Sequence, residues 1–418
     1  MKNRLATMLV LFGLGCGAAL AAADPTTASG KQLENLTLEQ ALEMAENLQP
    51  QIAEAKAMVE AAEGRARQAG AFPNPEAIVG AQQLPLAGNQ PNDKEYVAGV
   101  GQPIPLSGRL TKARQAELLD REVRARGLDV KRRDIRKRVH SAFATALYQE
   151  EAYKAQNEIR RSAEKAVAAT QARLEAGDAV REDLARVEME LARAQVEVRR
   201  AESLREQARL ELAFAIGDAT LAVISLSGTM DAAFEIPTLE SLAANLAAQP
   251  ETALADADIR ARAARVDLAK AERLPDVKVE LLYHRLEASR ASTVDVGLSL
   301  PLPLFNRNQG KLREARAEQA AADARARMTR SELSTRLRES HAQLTAALAN
   351  TRTFKTDILP RADTVLKSAE TRYTAGDISL AEMLPVRRDW ATVQLAYLES
   401  VRDAMQAWAA LSPYVGRP

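Results

Sequence analysis

Cysteine is almost absent from this sequence: its single copy is Cys16, near the N-terminus. Disulfide frameworks and thiolate metal sites both need several cysteines, so both are excluded. Histidine is nearly as scarce, and His140, His284 and His341 lie too far apart in the sequence to form a metal-binding motif. No catalytic constellation is present. We therefore expect neither an enzyme nor a bound cofactor or metal.

An excess of charge of either sign is also missing. The chain has 57 Lys and Arg residues against 56 Asp and Glu residues, so it lacks the basic footprint of a nucleic-acid-binding protein, and no nucleic-acid partner is expected. Aromatic residues make up only 4% of the chain, and Ala, Leu, Glu, Arg and Gln dominate. This composition favours long helices over a thick globular core. We expect an elongated, mainly α-helical protein.

Long apolar runs are missing beyond the N-terminus. Two positive charges precede an apolar run at 5–20, and A-x-A sequences follow it, as in a secretory signal peptide. We predict a signal peptide at 1–23 that is cleaved after Ala21 or Ala23. Lipidation of Cys16, whose Gly-Leu-Gly-Cys context resembles a lipoprotein box, is the alternative. No later segment reaches the ~18 apolar residues of a transmembrane helix, so the exported chain can meet a membrane only as a β-barrel or through a lipid.

Two halves of the chain share motifs that return after about 200 residues, and such a duplication determines the fold. The paired motifs are Leu36-Thr37-Leu38-Glu39 with Pro237-Thr238-Leu239-Glu240, Gln49-Pro50 with Gln249-Pro250, Pro73-Asn74 with Pro275-Asp276, Pro103-x-Pro105 with Pro301-x-Pro303, Arg173-x-x-Ala176-Gly177-Asp178 with Arg372-x-x-Ala375-Gly376-Asp377, and Gly217 with Gly416. We divide the mature chain into a first repeat (24–217), a linker (218–236) and a second repeat (237–418).

Each repeat predicts the order helix, strand, strand, long helix, helix. Prolines bracket both strand regions, and proline can neither donate to a strand ladder nor continue a helix. Apolar and polar residues alternate through both strand regions of the second repeat. This period of two fits barrel strands with lipid on one face and water on the other. The predicted strands are 76–84, 95–102, 276–285 and 292–300.

The predicted helices are long. In the first repeat a capping box opens a helix over 37–70, a helical pattern runs from Ser107 to about Leu174, and the last helix covers 179–216. The middle helix is ~100 Å long. The two shorter helices nearly match that length together, so they can stack end to end beside it. In the second repeat, Pro360 is expected to kink the long helix.

One chain supplies only four membrane strands, whereas small closed barrels need about eight or more. A monomer would leave two unpaired strand edges in lipid, which is prohibitive. The protein must therefore assemble from two, three or four chains, and the long helices must continue the ring into the periplasm.

The order of elements and the duplication resemble the TolC-type outer-membrane efflux family over almost the whole mature chain. Two local features share this resemblance: the Pro-Leu-Pro-Leu-Phe-Asn-Arg-Asn-Gln-Gly run at 301–310 and the two Arg-x-x-Ala-Gly-Asp turns. This resemblance implies a homotrimer in outer-membrane lipid, with a twelve-stranded β-barrel and a long α-helical barrel in the periplasm. It also implies two partners, a periplasmic adaptor (membrane fusion) protein and an inner-membrane pump of the resistance-nodulation-division class.

The short N-terminus and the 301–310 run are more similar to the heavy-metal (CzcC-like) branch of that family, so heavy-metal cations are the expected cargo. A channel for drugs or other small organic molecules is the alternative within the family. Two other classes share part of the pattern. A periplasmic adaptor has extended β domains around one hairpin, whereas this chain has two hairpins and four strands. A structural coiled coil of the envelope would explain the helices but not the signal peptide or strands.

The turns at Gly177-Asp178 and Gly376-Asp377 join each long helix to the returning helix, so we expect them at the end farthest from the strands. Glycine there supplies the left-handed cap that ends a helix, and aspartate is expected to start the next one. The resemblance implies that these turns are the periplasmic tips that contact the adaptor.

An acid follows each tip glycine by six residues, Asp183 in the first repeat and Glu382 in the second. In the family, acids at the second of these places ring the closed entrance, so the resemblance makes Glu382 the first gate candidate and Asp183 the next. Three copies of Glu382 would repel one another, which raises a pKa, and could attract cations. Ser379-x-x-Glu382 also fits a capping box, and Pro385 departs from the family pattern.

Two further groups of side chains can be placed by their chemistry. Phe72 and Phe305 are expected at the inner membrane interface, and Tyr96 and Tyr283 at the outer one, as in aromatic girdles; ordinary anchors at element ends are the alternative. The basic run at 131–138 is expected on the solvated outside of the helical tube, because it would oppose cation passage inside.

Overall fold

The computed structural model describes residues 32–33, 35–84, 94–218, 220, 222–223, 225–230 and 234–415. The predicted signal peptide, Cys16 and Gly416 lie outside these residues. The helices are α1 (Leu38–Leu48), α2 (Pro50–Ala69), α3 (Arg109–Glu175), α4 (Arg181–Ile216), α5 (Leu239–Ala244), α6 (Pro250–Ala271), α7 (Gln309–Thr353), α8 (Leu359–Ala375) and α9 (Leu380–Leu411). The strands are β1 (Gln32–Leu33), β2 (Glu76–Gln82), β3 (Glu95–Ile104), β4 (Ala222–Val223), β5 (Val277–Leu286) and β6 (Ser292–Ser299).

The four longer strands form one antiparallel sheet in the order β2-β3-β5-β6, and each end lies within two residues of its predicted place. Its register places alternate residues on two faces. The apolar face comprises the odd-numbered residues of β2 and β5 and the even-numbered residues of β3 and β6. Val79, Val296 and Leu298 are exposed on it, and Arg285 is its one charged residue within these strands. The polar face comprises the remaining residues.

Helices α2 and α4 both pack along α3, whose 67 residues make it ~100 Å long. The side-chain amide of Gln49 donates to the Ala215 carbonyl at 2.9 Å, so the end of α4 meets the start of α2, which confirms the predicted stacking. The predicted helix over 37–70 is instead two helices. Pro50 has no N–H to continue α1 and occupies the first position of α2, so the chain bends at Gln49.

The long helix of the second repeat consists of α7, a π-helical turn at Phe354–Ile358, and α8. The turn ends two residues before Pro360. Proline lacks the N–H that would bond to the carbonyl four residues earlier, so the ladder has to rearrange there. The kink at Pro360 stays a prediction; the structure has a π-turn before this proline, whereas α3 is continuous. Within the described ranges, no helix combines the length and apolar character needed to cross a membrane.

The described residues bury apolar side chains in three clusters, the smallest of which joins Val266 and Ala269 of α6 to Leu312 and Ala315 of α7. In the first, α1, α3 and α4 bury Ile135, Val139 and Leu212, and in the second, α7 and α9 bury Leu337 and Leu411. Beside the first cluster, β1 pairs in parallel with β4, which lies within the predicted linker. Two-residue strands have no periodicity, so the sequence did not predict this pairing.

The basic run on α3 is solvated only in part. Arg132 pairs with Glu46 of α1 at 2.7 Å, and Arg133 pairs with Glu251 of α6. Both arginines are partly buried between helices, where each has a carboxylate partner. The expected solvated position is therefore wrong for these two residues. The solvated part of the run consists of Lys131, Arg136, Lys137 and Arg138.

Candidate docking tips and channel-lining face

Both helix-to-helix turns end their long helices with the same hydrogen-bond pattern. Gly177 and Gly376 each adopt φ of +81°, a left-handed conformation that favours glycine. The amide of the aspartate after each glycine donates to the carbonyl five residues earlier, as in a Schellman cap. The bonds are Asp178 N–H to Arg173 O (2.8 Å), Gly177 N–H to Leu174 O (3.1 Å), Asp377 N–H to Arg372 O (2.9 Å) and Gly376 N–H to Tyr373 O (3.2 Å).

The two tip aspartates do not start the next helices, contrary to the expectation. Helix α4 has Val180 at its N-cap without a side-chain cap, and α9 has Ser379 there. The backbone amides of Asp178 and Asp377 complete the preceding caps instead, so each residue belongs to the end of the long helix. The predicted capping box of Ser379 with Glu382 is present.

The two tips lie side by side around a cleft of about 310 Å³. The Arg173 guanidinium lies 5.4 Å from the centre of the Tyr373 ring, which is a cation–π contact between the repeats. Asp183 and Arg186 line the cleft from α4, and Asp377 lines it from the second tip. The structure thus brings Asp183 and both tips together in one surface.

Glu382 has a different environment from Asp183. It is exposed, and its Oε2 accepts hydrogen bonds from the Ser379 amide at 2.8 Å and the Ser379 hydroxyl at 2.9 Å. The backbone bond from Ser379, followed by its side-chain bond, lowers the pKa of Glu382 below its ordinary value. Within one chain, the capping box therefore favours the carboxylate. The expected upward shift from repulsion needs further copies of the chain.

A second link between the repeats lies farther along the returning helices from the tips. Arg388 of α9 donates from Nε to Glu190 of α4 at 3.0 Å, and this hydrogen bond raises the pKa of Arg388. Its neighbour Arg387 pairs with Glu370 of α8 at 3.2 Å. Sequence reasoning missed these residues because charged side chains are frequent along both helices and no spacing marks the ones that meet.

The polar face of the sheet is negatively charged. Lys278 pairs with two carboxylates, at 2.8 Å and 3.0 Å, and His284 lies between two others, at 2.5 Å and 3.4 Å. These four carboxylates are Glu76, Glu280, Glu95 and Asp295. In the part of the chain that the structure describes, no three His, Cys, Asp or Glu residues form a group that could hold a metal ion. Sequence reasoning found the strands but not this charge set, which depends on the pairing register.

Two segments of the chain, residues 41–218 and 242–417, match the model of the outer membrane efflux protein family. Together they cover most of the sequence, so the chain belongs to this family. It is an outer-membrane efflux channel, not an enzyme. The predicted family, fold class and location are confirmed.

Individual relatives agree with this assignment. The cobalt-zinc-cadmium resistance protein CzcC of Cupriavidus metallidurans is 27% identical over 383 residues, which are 91% of this chain and 90% of that protein. The structure of CusC superposes with a TM-score of 0.77 at 14% identity, over 91% of this chain and 92% of the other. The outer membrane channel CmeC of Campylobacter jejuni gives 0.75 at 14% identity, over 91% and 85%. Both structures support the fold alone.

Proposed function

We propose that this protein is the exit duct of a three-part efflux system that exports heavy-metal cations. The proposal rests on the polar face of the sheet, where four carboxylates oppose one lysine and one histidine. Carboxylates that line a narrow passage raise the local concentration of cations and disfavour anions. Similarity to a protein named for cobalt, zinc and cadmium resistance supports the same cargo.

The duct would be a homotrimer. The described sheet ends in β2 on one side and β6 on the other, and strand edges in lipid must be paired. Three copies joined edge to edge would close a twelve-stranded barrel, with the apolar face toward lipid and the polar face toward water. The division into repeats at 24–217 and 237–418 is part of this proposal, and the two separate family matches support it.

The outer side of α4 supports the same assembly. Its inner side buries Val187, Ala194 and Ala201, as a coiled-coil seam requires. A second apolar stripe on this helix is exposed in the single chain, and such stripes are typical of protein interfaces. We assign it to the neighbouring copy. The stripe consists of Met189, Val196, Leu204, Leu210 and Phe214.

At the far end, the tips around Gly177-Asp178 and Gly376-Asp377 would bind the periplasmic adaptor, which would connect the duct to a resistance-nodulation-division pump. Their exposed, hydrogen-bonded turns and the cleft between them support this role. Glu382 and Asp183 are the candidate gate residues. The position of Asp183 in the cleft supports a gate role for this residue. For Glu382, the capping box lowers the pKa and so favours the charged form that a gate role requires.

Planar-bilayer recording tests the duct. The purified protein should form a stable trimer in detergent and open pores whose reversal potential in a salt gradient shows cation selectivity. The combined Glu95→Gln, Glu280→Gln and Asp295→Asn changes should reduce that selectivity, and Lys278→Gln should increase it. A soluble monomer without conductance would refute the channel, and unchanged selectivity in both variants would remove the role of the polar face.

Cargo needs a separate test. A strain without this protein should become sensitive to cobalt, zinc or cadmium, and the full-length protein should restore growth. Sensitivity to drugs with unchanged metal tolerance would show that the channel serves organic cargo.

A further inference from the structure

His284 lies on the polar face of the sheet, near the end that is farthest from the helices, two residues before the end of β5. The register places Glu95 of β3 and Asp295 of β6 diagonally across from it, one on each side. Of the His284 side chain 12% is exposed, against 63% of the Asp295 side chain. The imidazole therefore lies between a carboxylate that is mostly buried and one that is open to solvent.

Glu95 fixes the proton of the imidazole on one nitrogen. The Nδ1 of His284 lies 2.5 Å from Oε1 of Glu95. An ionised carboxylate can only accept a hydrogen bond, so Nδ1 carries the proton and donates it. In the neutral ring, Nε2 then has a free lone pair. Histidines that bind metals are commonly oriented by a carboxylate in this way. The contact with Glu95 thus prepares Nε2 as a ligand.

The Nε2 of His284 is buried without a hydrogen-bond partner among the described residues. Such an orphaned buried atom is unusual in a protein. It lies 3.4 Å from Oδ2 of Asp295, but the angles of this contact do not make a hydrogen bond. A metal ion suits the pair better than a proton does. Two ligand atoms that are each about 2.1 Å from Zn²⁺ at a tetrahedral angle lie about 3.4 Å apart, and the ion is off the line that joins them.

The other carboxylate pair of the polar face differs in one respect. Lys278 lies 2.8 Å from Glu76 and 3.0 Å from Glu280, so its ammonium group already supplies the positive charge between them. A neutral imidazole supplies no charge between Glu95 and Asp295. Of the two carboxylate pairs on the described strands, the one around His284 can therefore accept a further cation.

We infer that Nε2 of His284 and Oδ2 of Asp295 form a transit site for divalent transition-metal cations, with Glu95 as a positioning residue. The inference deepens the proposed function and rests on it, because the polar face has to line the passage. Imidazole with carboxylate suits zinc, cobalt and similar ions, whereas magnesium and calcium prefer oxygen ligands alone. The separation of the three histidines in the sequence does not oppose this site, since it needs one histidine.

Two protein ligands hold a cation weakly. Resident metal sites use three or four protein ligands, so water has to complete the coordination here. Weak binding agrees with the role of a passage, where an ion must enter a site and also leave it. The exposed side of Asp295 gives the ion a route to the solvent.

A doubly protonated His284 held between two carboxylates is the competing explanation of these distances. That state would have an N–H group on Nε2 directed at Asp295, and the contact does not have the angles of such a hydrogen bond. An imidazolium ring has no lone pair and would exclude a metal cation. Metal binding to the His284 nitrogen therefore distinguishes the two states.

Pulsed electron paramagnetic resonance with Cu²⁺ tests binding in the full-length protein purified in detergent. Cu²⁺ is a paramagnetic probe for nitrogen and oxygen ligands, and the remote nitrogen of a coordinated imidazole modulates its spin echo. We expect this modulation in the unmodified protein and in the control variant His341→Gln, and its loss in His284→Gln. Added Zn²⁺ should compete with the probe, whereas Mg²⁺ should not. Modulation that is equally strong in His284→Gln would overturn the inference.

Each variant is first compared with the unmodified protein in oligomer size and circular dichroism. If His284→Gln does not fold, Asp295→Asn replaces it, since Asp295 is exposed. This second variant should weaken the modulation several-fold at a limiting concentration of Cu²⁺. Unchanged modulation in Asp295→Asn would contradict the site in the same way.

Channel block in planar bilayers tests the site during conduction. In the unmodified protein, Zn²⁺ should block the current at a concentration several-fold lower than Mg²⁺ does. His284→Gln should make the two ions equal, Glu95→Gln should raise the Zn²⁺ concentration by about tenfold, and His341→Gln should change nothing. Equal block by both ions in the unmodified protein would overturn the inference. Cu²⁺ binding at His284 without a cation-selective channel would instead refute the proposed function and leave the site standing.

Discussion

The side-chain amide of Gln49 donates to the backbone carbonyl of Ala215 at 2.9 Å, which joins the bend between α1 and α2 to the end of α4. Gln49 is buried. Its counterpart Gln249 donates to the Pro413 carbonyl at 3.3 Å, but the Oε1 of Gln249 is buried without a hydrogen-bond partner among the described residues. The two glutamines therefore occupy similar places in the two repeats, but Gln249 leaves a buried oxygen without a hydrogen bond.

We expect Gln49→Leu to destabilise the protein by about 1–3 kcal/mol, because the Ala215 carbonyl would lose its buried donor. Gln249→Leu should cost less, since it removes longer hydrogen bonds and also an unsatisfied oxygen. Denaturant unfolding of both variants in detergent, followed by circular dichroism, checks the order. Equal losses, or a larger loss at Gln249, would contradict this account.

Gly217 cannot be replaced without strain. Its φ is +103°, and an added Cβ would lie 2.6 Å from the Cα of Gln49. We expect Gly217→Ala to destabilise the chain by at least about 1–3 kcal/mol, from backbone strain and the clash. Gly127→Ala is the control, because Gly127 lies within α3 with nothing within 4 Å of the new Cβ. It should stabilise the protein by about 0.5–1 kcal/mol. Thermal unfolding of both variants checks these opposite signs.

The tip glycines allow a test of docking. Both have φ of +81° and open space around the missing Cβ, so a substitution strains only the turn. Replacing Gly177 and Gly376 together with Val should abolish export and leave outer-membrane insertion intact. Asn enters the left-handed region more readily, so the double Asn variant should retain most export. Metal tolerance of cells and the amount of trimer in the outer membrane are the two measurements. Normal export by the Val variant would show that the tips are not the contact.

Glu382 should make the second tip sensitive to acid. Its pKa is lower in the folded chain than in the unfolded one, so the carboxylate stabilises the tip above the unfolded value. That contribution is lost as the pH falls through the folded value. Amide exchange of the first turn of α9 should therefore become faster toward low pH, after correction for intrinsic exchange rates. In Glu382→Gln this change should disappear, while much of the cap remains.

The Glu382→Gln variant also distinguishes a gate role of Glu382 from a purely helix-capping role. If three copies of Glu382 face the entrance, the variant should change single-channel conductance or block by divalent cations, because the charge is removed while the capping geometry stays similar. Values equal to those of the unmodified protein would leave Glu382 as a helix cap only. Asp183→Asn, in the cleft between the tips, is then the next variant to record.

Local signals in the sequence predicted much of the fold. Alternation predicted the two strands of the second repeat, and the duplication supported those of the first. The predicted capping box at Ser379 and Glu382 is present, and a π-turn precedes Pro360, where a kink was predicted. The bend at Gln49 was missed because α1 and α2 have continuous helical composition, although Pro50 lies at the break. The aspartates at 178 and 377 were assigned to the wrong helix, because a Schellman cap uses their backbone amides, which any residue except proline supplies. Contacts between distant segments, such as Glu46 with Arg132, have no local signal.

The pair of Glu190 and Arg388 has a consequence for how the two returning helices can move. The returning helix of the first repeat offers the acid and that of the second repeat offers the base, and the two side chains are bonded within one chain. A movement that separates α4 from α9 at this level has to break a charged hydrogen bond. Because the Arg388 side chain is about half exposed, salt screens this attraction, so such a separation becomes easier as the ionic strength rises.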